Sequence, residues 1–328
     1  MSTVKRVGVI GLGSYLPEKV LTNADLERMV DTTDEWIVTR TGIRQRRIAR
    51  QDETTSDMAV EAARRALENA RMTPEDIDLI IVATITPDMF FPSTACLVQH
   101  KLGARHVPAF DISVACSGFI YGIAIANQFI GSGTYRHALV IGAEKLSTVT
   151  DWSDRSTCVL FGDGAGAAVL GEVKEGGIIS VNLGADGSKG DLLNLPAGGS
   201  KMPASKKTID DKLHYIKMNG AELFKHAVKI MADAGLGATN PLNLKAEDID
   251  LIIPHQANIR ILMAVAKRMG IGEDKIYLNI EKYGNMSAAS SAVALCEAVK
   301  EGRIRKGNRI LLDAFGGGLT WGAIVIEW

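Results

Sequence analysis

Hydrophobic and polar positions along the chain form blocks that predict helices followed by strands. The clearest helical pattern covers 56–71, where an apolar residue recurs at every fourth position. An uninterrupted apolar run at 79–81 follows it, as expected of a buried strand. Alternation of such helices and strands is typical of an α/β fold built on sheets with helical crossovers.

This succession occurs twice. The sequence EDIDLII at 75–81 recurs unchanged at 247–253, a displacement of 172 residues (247 − 75). An amphipathic helical pattern precedes each copy, and a second helix and strand follow each, over 118–141 and over 287–314. We therefore predict an internal duplication.

The duplication predicts an N-terminal half at 1–172 and a C-terminal half at 173–328, each with a mixed, mainly parallel sheet. Strand ends of the two halves should then face one another, and open sheets bind ligands outside the carboxyl ends of their strands. A shift of about 170 residues carries Cys116 to the loop 284–287, so Cys116 and Asn285 should occupy equivalent positions.

Composition narrows the functional classes. The 328 residues are 46% hydrophobic and 23% charged, and the net charge of −1 offers no general attraction for nucleic acid or membrane. No apolar run is long enough to span a bilayer and no signal peptide is evident, which predicts a cytoplasmic protein. The four cysteines form no CxxC pair and the histidines lack metal-ligand spacing, so we expect reduced thiols and no metal.

Cys116 is the first candidate for chemistry. It lies in SVACSGF at 113–119, where an extended apolar run ends and a helix-compatible stretch begins. Unpaired N–H groups and partial positive charge at a helix N-terminus favour a thiolate, so we expect the helix to lower the pKa of this thiol. The alternative is a buried structural cysteine.

Three further motifs lie at predicted strand ends. His255 directly follows the second copy of the repeat, although a lone histidine there is often a core residue. Asn285 lies before a helix, where a capping role is the alternative. The glycines at 316–318 separate two strands; they either form a flexible turn or let a backbone N–H approach a developing oxyanion closely.

Together these motifs resemble the β-ketoacyl-acyl-carrier-protein synthase III family of the thiolase-like superfamily, over about Val7 to Trp328. The resemblance implies a thiolase-like α/β fold of duplicated halves in αβαβα layers. It also implies an acyltransferase that condenses a short acyl-CoA, such as acetyl-CoA, with malonyl-acyl carrier protein to begin fatty acid synthesis without a cofactor. The motifs that carry it are VACSG at 114–118, PHQAN at 254–258, YGNMS at 283–287 and FGGG at 315–318.

By the same resemblance, Cys116, His255 and Asn285 form the catalytic set, and the backbone at Cys116, Gly316 and Gly317 forms an oxyanion hole. A thiolate attacks the thioester, and the enolate formed when the malonyl group loses CO2 needs preorganised donors more than a base. A neutral imidazole and a carboxamide supply such donors.

The family also implies binding residues outside this set. CoA is expected to contact Thr32, Trp36, Arg40, Arg155 and Asn258, with the adenine between Trp36 and Arg155. Ser156 stands where the family commonly has glycine, which puts the fit of the adenine there in question. The acyl pocket is assigned to Phe91, Phe161 and Phe315, and acidic carrier protein is expected to dock on Lys225, Arg260, Lys267 and Arg268. Phe91 is expected to cross a homodimer interface into the partner's pocket.

Other functional classes fit less well. A dinucleotide-binding motif at 8–17 fails because Leu16 stands at the third glycine position and Pro17 follows it. The glycines at 161–166 lack the Lys-Ser/Thr ending of a phosphate-binding loop. A papain-like protease shares the order Cys, His, Asn but not the signature around its cysteine. A non-catalytic homologue is the remaining alternative. The sequence leaves open the preferred acyl group and whether the enzyme serves fatty acid or secondary metabolism.

Overall fold

The computed structural model describes residues 5–328. The N-terminal half contains seven strands and six α-helices within the described chain. They are β1 (Val7–Tyr15), β2 (Lys19–Thr22), α1 (Asn23–Leu26), α2 (Asp34–Thr41), β3 (Gln45–Ile48), α3 (Thr55–Ala70), β4 (Leu79–Ala83), α4 (Thr94–Leu102), β5 (Ala109–Ile112), α5 (Gly118–Gly131), β6 (His137–Lys145), α6 (Arg155–Cys158) and β7 (Asp163–Glu172).

The C-terminal half repeats the principal elements. They are β8 (Gly177–Ala185), β9 (Leu193–Asn194), α7 (Lys206–Asp210), β10 (Lys217–Met218), α8 (Gly220–Thr239), β11 (Leu251–Pro254), α9 (Ile259–Met269), α10 (Ile280–Tyr283), α11 (Ala288–Lys300), β12 (Arg309–Gly316) and β13 (Thr320–Glu327).

Two large sheets carry the fold, and their strand orders correspond. The N-terminal sheet has the order β1-β7-β6-β4-β5 and the C-terminal sheet β8-β13-β12-β11. A parallel bridge between Ile252 and Ile276 extends the second sheet at the position of β5. Leu79 pairs with Ala138 in one half and Leu251 with Ile310 in the other, so both partners are displaced by 172 residues. The predicted duplication is confirmed in this topology.

Three cores of apolar side chains show how the helices and sheets are layered. One core joins the inner faces of both sheets through the central helices α5 and α11, whose buried side chains include Phe119, Ile123 and Leu295. A second core packs α3 and α4 on the outside of the N-terminal sheet, and a third packs α8 and α9 on the C-terminal sheet. The order is helix, sheet, helix, sheet, helix, so the predicted αβαβα layering is confirmed.

The sheets are mixed as predicted, but parallel pairs do not predominate. In the two large sheets of the described chain, three strand pairs are parallel and four are antiparallel. The repeat in the sequence predicted the parallel crossover units. It did not predict that β7 and β13 run antiparallel to the strands that precede them, β6 and β12. The edge strands β1 and β8 then pair antiparallel with β7 and β13. The glycine-rich segment at 8–15 lies within β1, as expected once a dinucleotide loop is rejected.

No helix within residues 5–328 combines the length and apolar character needed to cross a bilayer.

Contact between β1 and α3 depends on a glycine. A Cβ at Gly13 would overlap the carbonyl oxygen of Ala62 and the amide nitrogen of Ala66. We predict that Gly13→Ala lowers the free energy of unfolding by about 2–3 kcal/mol, because a packed backbone cannot move aside cheaply. Gly187→Ala is the matched control, since a Cβ there has no neighbour within 4 Å. Urea unfolding should separate the two variants; equal stability would mean that β1 and α3 can move apart.

Candidate active site

Cys116 lies where β5 gives way to α5. It occupies a 3-10 turn at Ala115–Ser117, and Ala115 has a φ of 46°, an unfavourable left-handed conformation for a residue with a side chain. The turn places Cys116 just before the first residue of α5, with only 8% of its surface exposed. The predicted position at the start of a helix is therefore observed.

The expected lowering of the thiol pKa is wrong for this structure. Burial raises the pKa of Cys116 to about 12, and the nearby Ser287 hydroxyl opposes this rise only in part. The buried carboxyl of Glu144 adds to the rise. Desolvation outweighs the helix N-terminus because the thiol is almost completely enclosed, so the resting group is a protonated thiol.

His255 follows β11 directly and is 1% exposed. Its backbone N–H donates to the carbonyl oxygen of Asp313 on β12 at 2.7 Å, which continues the parallel pairing beyond the end of β11. Burial lowers the pKa of His255 to about 3, so the imidazole is neutral. Within the described chain its Nδ1 atom is buried without a hydrogen-bond partner.

Asn285 is held at both its backbone and its side chain. Its N–H donates to the carbonyl oxygen of Leu160 at 2.8 Å, and its own carbonyl accepts from the N–H of Gly162 at 3.0 Å. The side-chain oxygen accepts from the N–H of Ser287 at 2.8 Å. The carboxamide orientation is thereby determined, and its NH2 group is the end that remains for another partner.

Gly316 brings the end of β12 against Cys116. A Cβ at Gly316 would lie 2.7 Å from the backbone nitrogen of Cys116. Only glycine permits this approach between the two chain segments. Gly317 is next to it, and a Cβ there would lie 3.1 Å from the carbonyl oxygen of Leu193.

Two cavities meet at Cys116, Phe161 and Leu193, which line both. Cavity I has a volume of about 250 Å³ and a mostly apolar wall. Its other lining residues are Ile85, Ser113, Ala115, Leu146, Val149, Asn194, Leu195, Ile216, Ser287 and Gly317.

Cavity II has a volume of about 140 Å³ and contains the remaining predicted catalytic residues, His255 and Asn285. Residues of α8 and of the segment entering α9 complete its wall. The other lining residues are Leu160, Met218, Gly220, Leu223, Phe224, Ala227, Met231, Ala257, Asn258, Ile261, Phe315 and Gly316. The three predicted catalytic side chains thus line a single cavity.

The residues expected to bind CoA form a cluster around α2. The guanidinium carbons of Arg155 and Arg40 lie 5.0 Å and 5.7 Å from the ring centre of Trp36. Arg155 therefore occupies the space over Trp36 that an adenine between them would need. Asn258 caps α9 and donates to the carbonyl oxygen of Arg40 at 2.9 Å, which connects this cluster to cavity II. The hydroxyl of Thr32 is buried without a hydrogen-bond partner among residues 5–328.

The four predicted docking residues are all exposed on α8 and α9, which pack against each other. Arg260 lies over the ring of Phe224, a residue of cavity II, at 5.6 Å. Lys225 and Arg268 make local ion pairs with Glu222 at 2.7 Å and with Asp233 at 3.7 Å.

Two of the three predicted acyl-pocket residues line a cavity of this chain, and the third does not. Phe161 lines both cavities and Phe315 lines cavity II. Phe91 is 85% exposed and lines neither cavity of its own chain. Its assignment to a partner's pocket stays a prediction, because one chain cannot test it.

Sequence reasoning missed Ser287 and Glu144. Ser287 lies within the quoted motif at 283–287 but had no role assigned, although it lines cavity I and orients Asn285. Glu144 is fully buried in β6. The signal in the sequence was an acidic residue directly after the apolar run at 138–143. No group of three His, Cys, Asp or Glu side chains suited to a metal ion occurs in the described part of the chain.

Family models and curated relatives point to the same protein family. Residues 110–187 match the family described as 3-oxoacyl-[acyl-carrier-protein (ACP)] synthase III, and residues 240–328 match its C-terminal counterpart. The chain is 61% identical over 322 residues to the β-ketoacyl-[acyl-carrier-protein] synthase III of Caldanaerobacter subterraneus subsp. tengcongensis, covering 98% of this chain and 97% of that protein. It is 56% identical to the Clostridioides difficile protein of the same name, covering 98% of each.

A solved structure gives the same result in three dimensions. The 3-oxoacyl-[acyl-carrier-protein] synthase III of Aquifex aeolicus VF5 superimposes with a TM-score of 0.91 at 51% identity. The match covers 98% of this chain and 100% of that chain.

The raised pKa of Cys116 predicts slow alkylation at neutral pH. Only the thiolate reacts, so the rate with iodoacetamide should rise about tenfold per pH unit and continue rising beyond pH 9. Mass spectrometry of the labelled peptides measures it, and the exposed Cys96 serves as the control for reagent stability and access. A rate for Cys116 that levels off below pH 8 would show that the helix N-terminus outweighs burial.

Proposed function

The chain belongs to the β-ketoacyl-acyl-carrier-protein synthase III family, and from that premise we propose how it condenses a short acyl-CoA with malonyl-acyl carrier protein. The enzyme is an acyltransferase that initiates fatty acid synthesis. The observation that carries the proposed mechanism is the convergence of Cys116, His255 and Asn285 on cavity II. A cytoplasmic location, where both substrates occur, is part of the proposal.

Acylation is the first half-reaction. The sulfur of Cys116 attacks the acyl-CoA thioester, the bond to the CoA sulfur breaks, and the acyl group remains on Cys116. The tetrahedral oxyanion needs backbone donors, for which we propose the N–H of Cys116 and an N–H at Gly316 or Gly317. The close approach of Gly316 to the Cys116 nitrogen supports this assignment, because it brings the two backbone segments to one point.

Condensation is the second half-reaction. Loss of CO2 from the malonyl thioester moves negative charge to its carbonyl oxygen, and the resulting carbanion attacks the acyl group on Cys116. We assign the two enolate donors to the ring N–H of His255 and the NH2 of Asn285. A neutral imidazole with its proton on Nε2 leaves Nδ1 as an unpaired acceptor, which is cheaper to bury than an unpaired N–H. The side-chain oxygen of Asn285 is already paired, which leaves the NH2 as donor.

Cavity I suits the acyl group. Its wall is mostly apolar and includes Cys116 but neither His255 nor Asn285. Phe161 lines both cavities, so it would contact an acyl group on Cys116. A volume of about 250 Å³ in one chain exceeds what an acetyl group needs. We propose that Phe91 of a second subunit reduces this space in a homodimer.

The exposed apolar segment at 89–91 supports the homodimer. Phe90 and Phe91 are 83% and 85% exposed and Met89 is 47% exposed. Adjacent exposed aromatic side chains of this kind mark interaction sites more often than free surface.

The nucleotide of CoA is proposed to bind at the cluster of Trp36, Arg40 and Arg155. Arg155 would first move away from the Trp36 ring, which it covers in this structure.

Labelled acetyl-CoA tests the proposed reaction. The protein should acquire one acyl group on Cys116 and release a β-ketoacyl product after malonyl-acyl carrier protein is added. Cys116→Ala should abolish acylation, whereas Cys158→Ala, a change at another buried thiol, should retain it. Failure of the wild-type protein to become acylated by any acyl-CoA from two to eight carbons would refute the proposal.

The two enolate donors make a more specific prediction. His255→Ala and Asn285→Ala should still be acylated on Cys116, but each should decarboxylate malonyl-acyl carrier protein about 100- to 1,000-fold more slowly, because a donor to the developing oxyanion is lost. Release of labelled CO2 measures this step separately from acylation. Normal decarboxylation in both variants would contradict the donor assignment.

Docking of the carrier protein is predicted to use the exposed basic residues of α8 and α9. The double variant Arg260→Ala and Lys267→Ala should raise the KM for malonyl-acyl carrier protein roughly threefold to tenfold, from about 1 kcal/mol or less for each exposed ion pair lost. Its acylation by acyl-CoA should be unchanged. Lys306→Ala is the control, since Lys306 pairs with Glu175 in another part of the chain. An equal KM increase in that control would exclude a specific docking surface.

A further inference from the structure

A buried acid close to the nucleophile has no part in the mechanism described so far. Glu144 lies on β6 and is completely buried. One of its oxygens, Oε2, accepts from the hydroxyls of Thr86 at 2.6 Å and Thr84 at 3.2 Å, and the N–H of Ile85 lies 3.2 Å from the same atom. These three donors stabilise the ionised form of the carboxyl group, whereas its burial opposes ionisation.

Ser287 lies near both the thiol and this carboxyl group. Ser287 and Cys116 line cavity I together with Ile85, whose N–H donates to Glu144. The Ser287 hydroxyl also offsets part of the rise in pKa that burial causes in Cys116 and in Glu144. It nevertheless has full hydrogen-bond geometry with neither, and no partner among the described residues. Its φ of 45° is an unfavourable conformation for serine, and the side chain is 2% exposed. A strained backbone that holds an unpaired hydroxyl near both a thiol and a carboxyl group needs an explanation.

Building on the proposed acylation of Cys116, we infer that Glu144 receives the thiol proton through Ser287 when the acyl group is transferred. The proton of Cys116 passes to the Ser287 oxygen as the hydroxyl proton of Ser287 passes to Glu144. Sulfur forms its bond to the acyl carbon, the bond to the CoA sulfur breaks, and CoA leaves as a thiolate that takes a proton from solvent.

The same path closes the catalytic cycle. When the malonyl-derived carbanion removes the acyl group, Cys116 leaves as a thiolate, and Glu144 returns the stored proton through Ser287. The relay therefore consumes no proton and needs no additional reactant. Glu144 contacts neither substrate in this scheme; it is a positioning residue that acts through Ser287.

The surroundings leave Glu144 free for this exchange. Burial raises the pKa of Glu144 to about 7, against the donors around it, so both protonation states are accessible near neutral pH. Its near neighbours are the Cys116 thiol, in the turn before α5, and the uncharged residues Thr84, Ile85, Thr86 and Ser287. The charged neighbours in sequence and sheet have other partners: Lys145 donates to carbonyl oxygens at 50–53, and Asp163 accepts from Ser147 and Ala49.

The pH dependence of acylation tests the relay. Release of CoA in a single turnover should accelerate with rising pH through about pH 7 in the wild-type enzyme, because only ionised Glu144 accepts the proton. Glu144→Gln should be at least tenfold slower at pH 8 and should lack this inflection. Ser287→Ala should behave in the same way, and the double variant should be no slower than the slower single variant, since both changes break one path.

Thr86→Val is the matched control, because it removes one donor to Glu144 and keeps the carboxyl group. The inflection in the pH profile of CoA release by this variant should move to higher pH. Its limiting rate at high pH should fall much less than the rate of Glu144→Gln does. A purely electrostatic role predicts the opposite result for Glu144→Gln: removal of a nearby negative charge would lower the pKa of Cys116 and accelerate both alkylation and acylation.

The outcomes separate the two proposals. An unchanged inflection in Glu144→Gln, faster acylation in that variant, or multiplicative effects in the double variant would each overturn the relay while leaving the condensing reaction intact. Absence of acylation in the wild-type enzyme at every pH would instead refute the proposed function itself.

Discussion

Close packing of two central helices between the sheets is the constraint on which the active site depends. The starts of α5 and α11 meet at a point where larger residues do not fit. A Cβ at Gly118 would lie 2.7 Å from the Cβ of Ala83 and 3.3 Å from that of Ala288, and a Cβ at Gly142 would overlap the carbonyl oxygen of Ala288. Because cores of this density do not deform continuously, the first residue of each helix is fixed relative to both sheets. Cys116 and Asn285 lie just before these helices, so their positions relative to both sheets are fixed as well.

The same packing determines the electrostatics of the site. Exclusion of water holds the proton on the Cys116 thiol and keeps His255 neutral, so neither side chain carries a charge in the resting site. Negative charge that develops on a substrate oxygen then meets oriented N–H donors in a medium of low polarity, where each donor has a large effect. The same exclusion of water disfavours ionisation of the Cys116 thiol at neutral pH. A buried nucleophile of this kind needs a specific proton acceptor, whereas an exposed one would use water.

Local patterns in the sequence contained the topology and the positions of the three catalytic candidates. The exact repeat at 75–81 and 247–253 indicated the correspondence of the halves, and β4 and β11 begin within its two copies, at Leu79 and Leu251. Properties that depend on tertiary burial were beyond reach. The thiol pKa of Cys116 was predicted in the wrong direction, because the helix terminus is visible in sequence and the depth of burial is not. The environment of Glu144 on β6 likewise arises from residues just after β4 and just before α11, which only folding brings together.

The two cavities that meet at the sulfur give the reaction its order. Neither His255 nor Asn285 lines cavity I, so in the proposed mechanism an acyl group stored there is kept from the enolate donors. Cavity II contains His255 and Asn285 and is lined by residues of α8 and α9, so in the proposed mechanism CoA leaves it before the malonyl group enters. Cys116 lines both cavities, so in the proposed mechanism the acyl-enzyme links the two half-reactions. A single wider cavity would admit both thioesters together and would lose this separation.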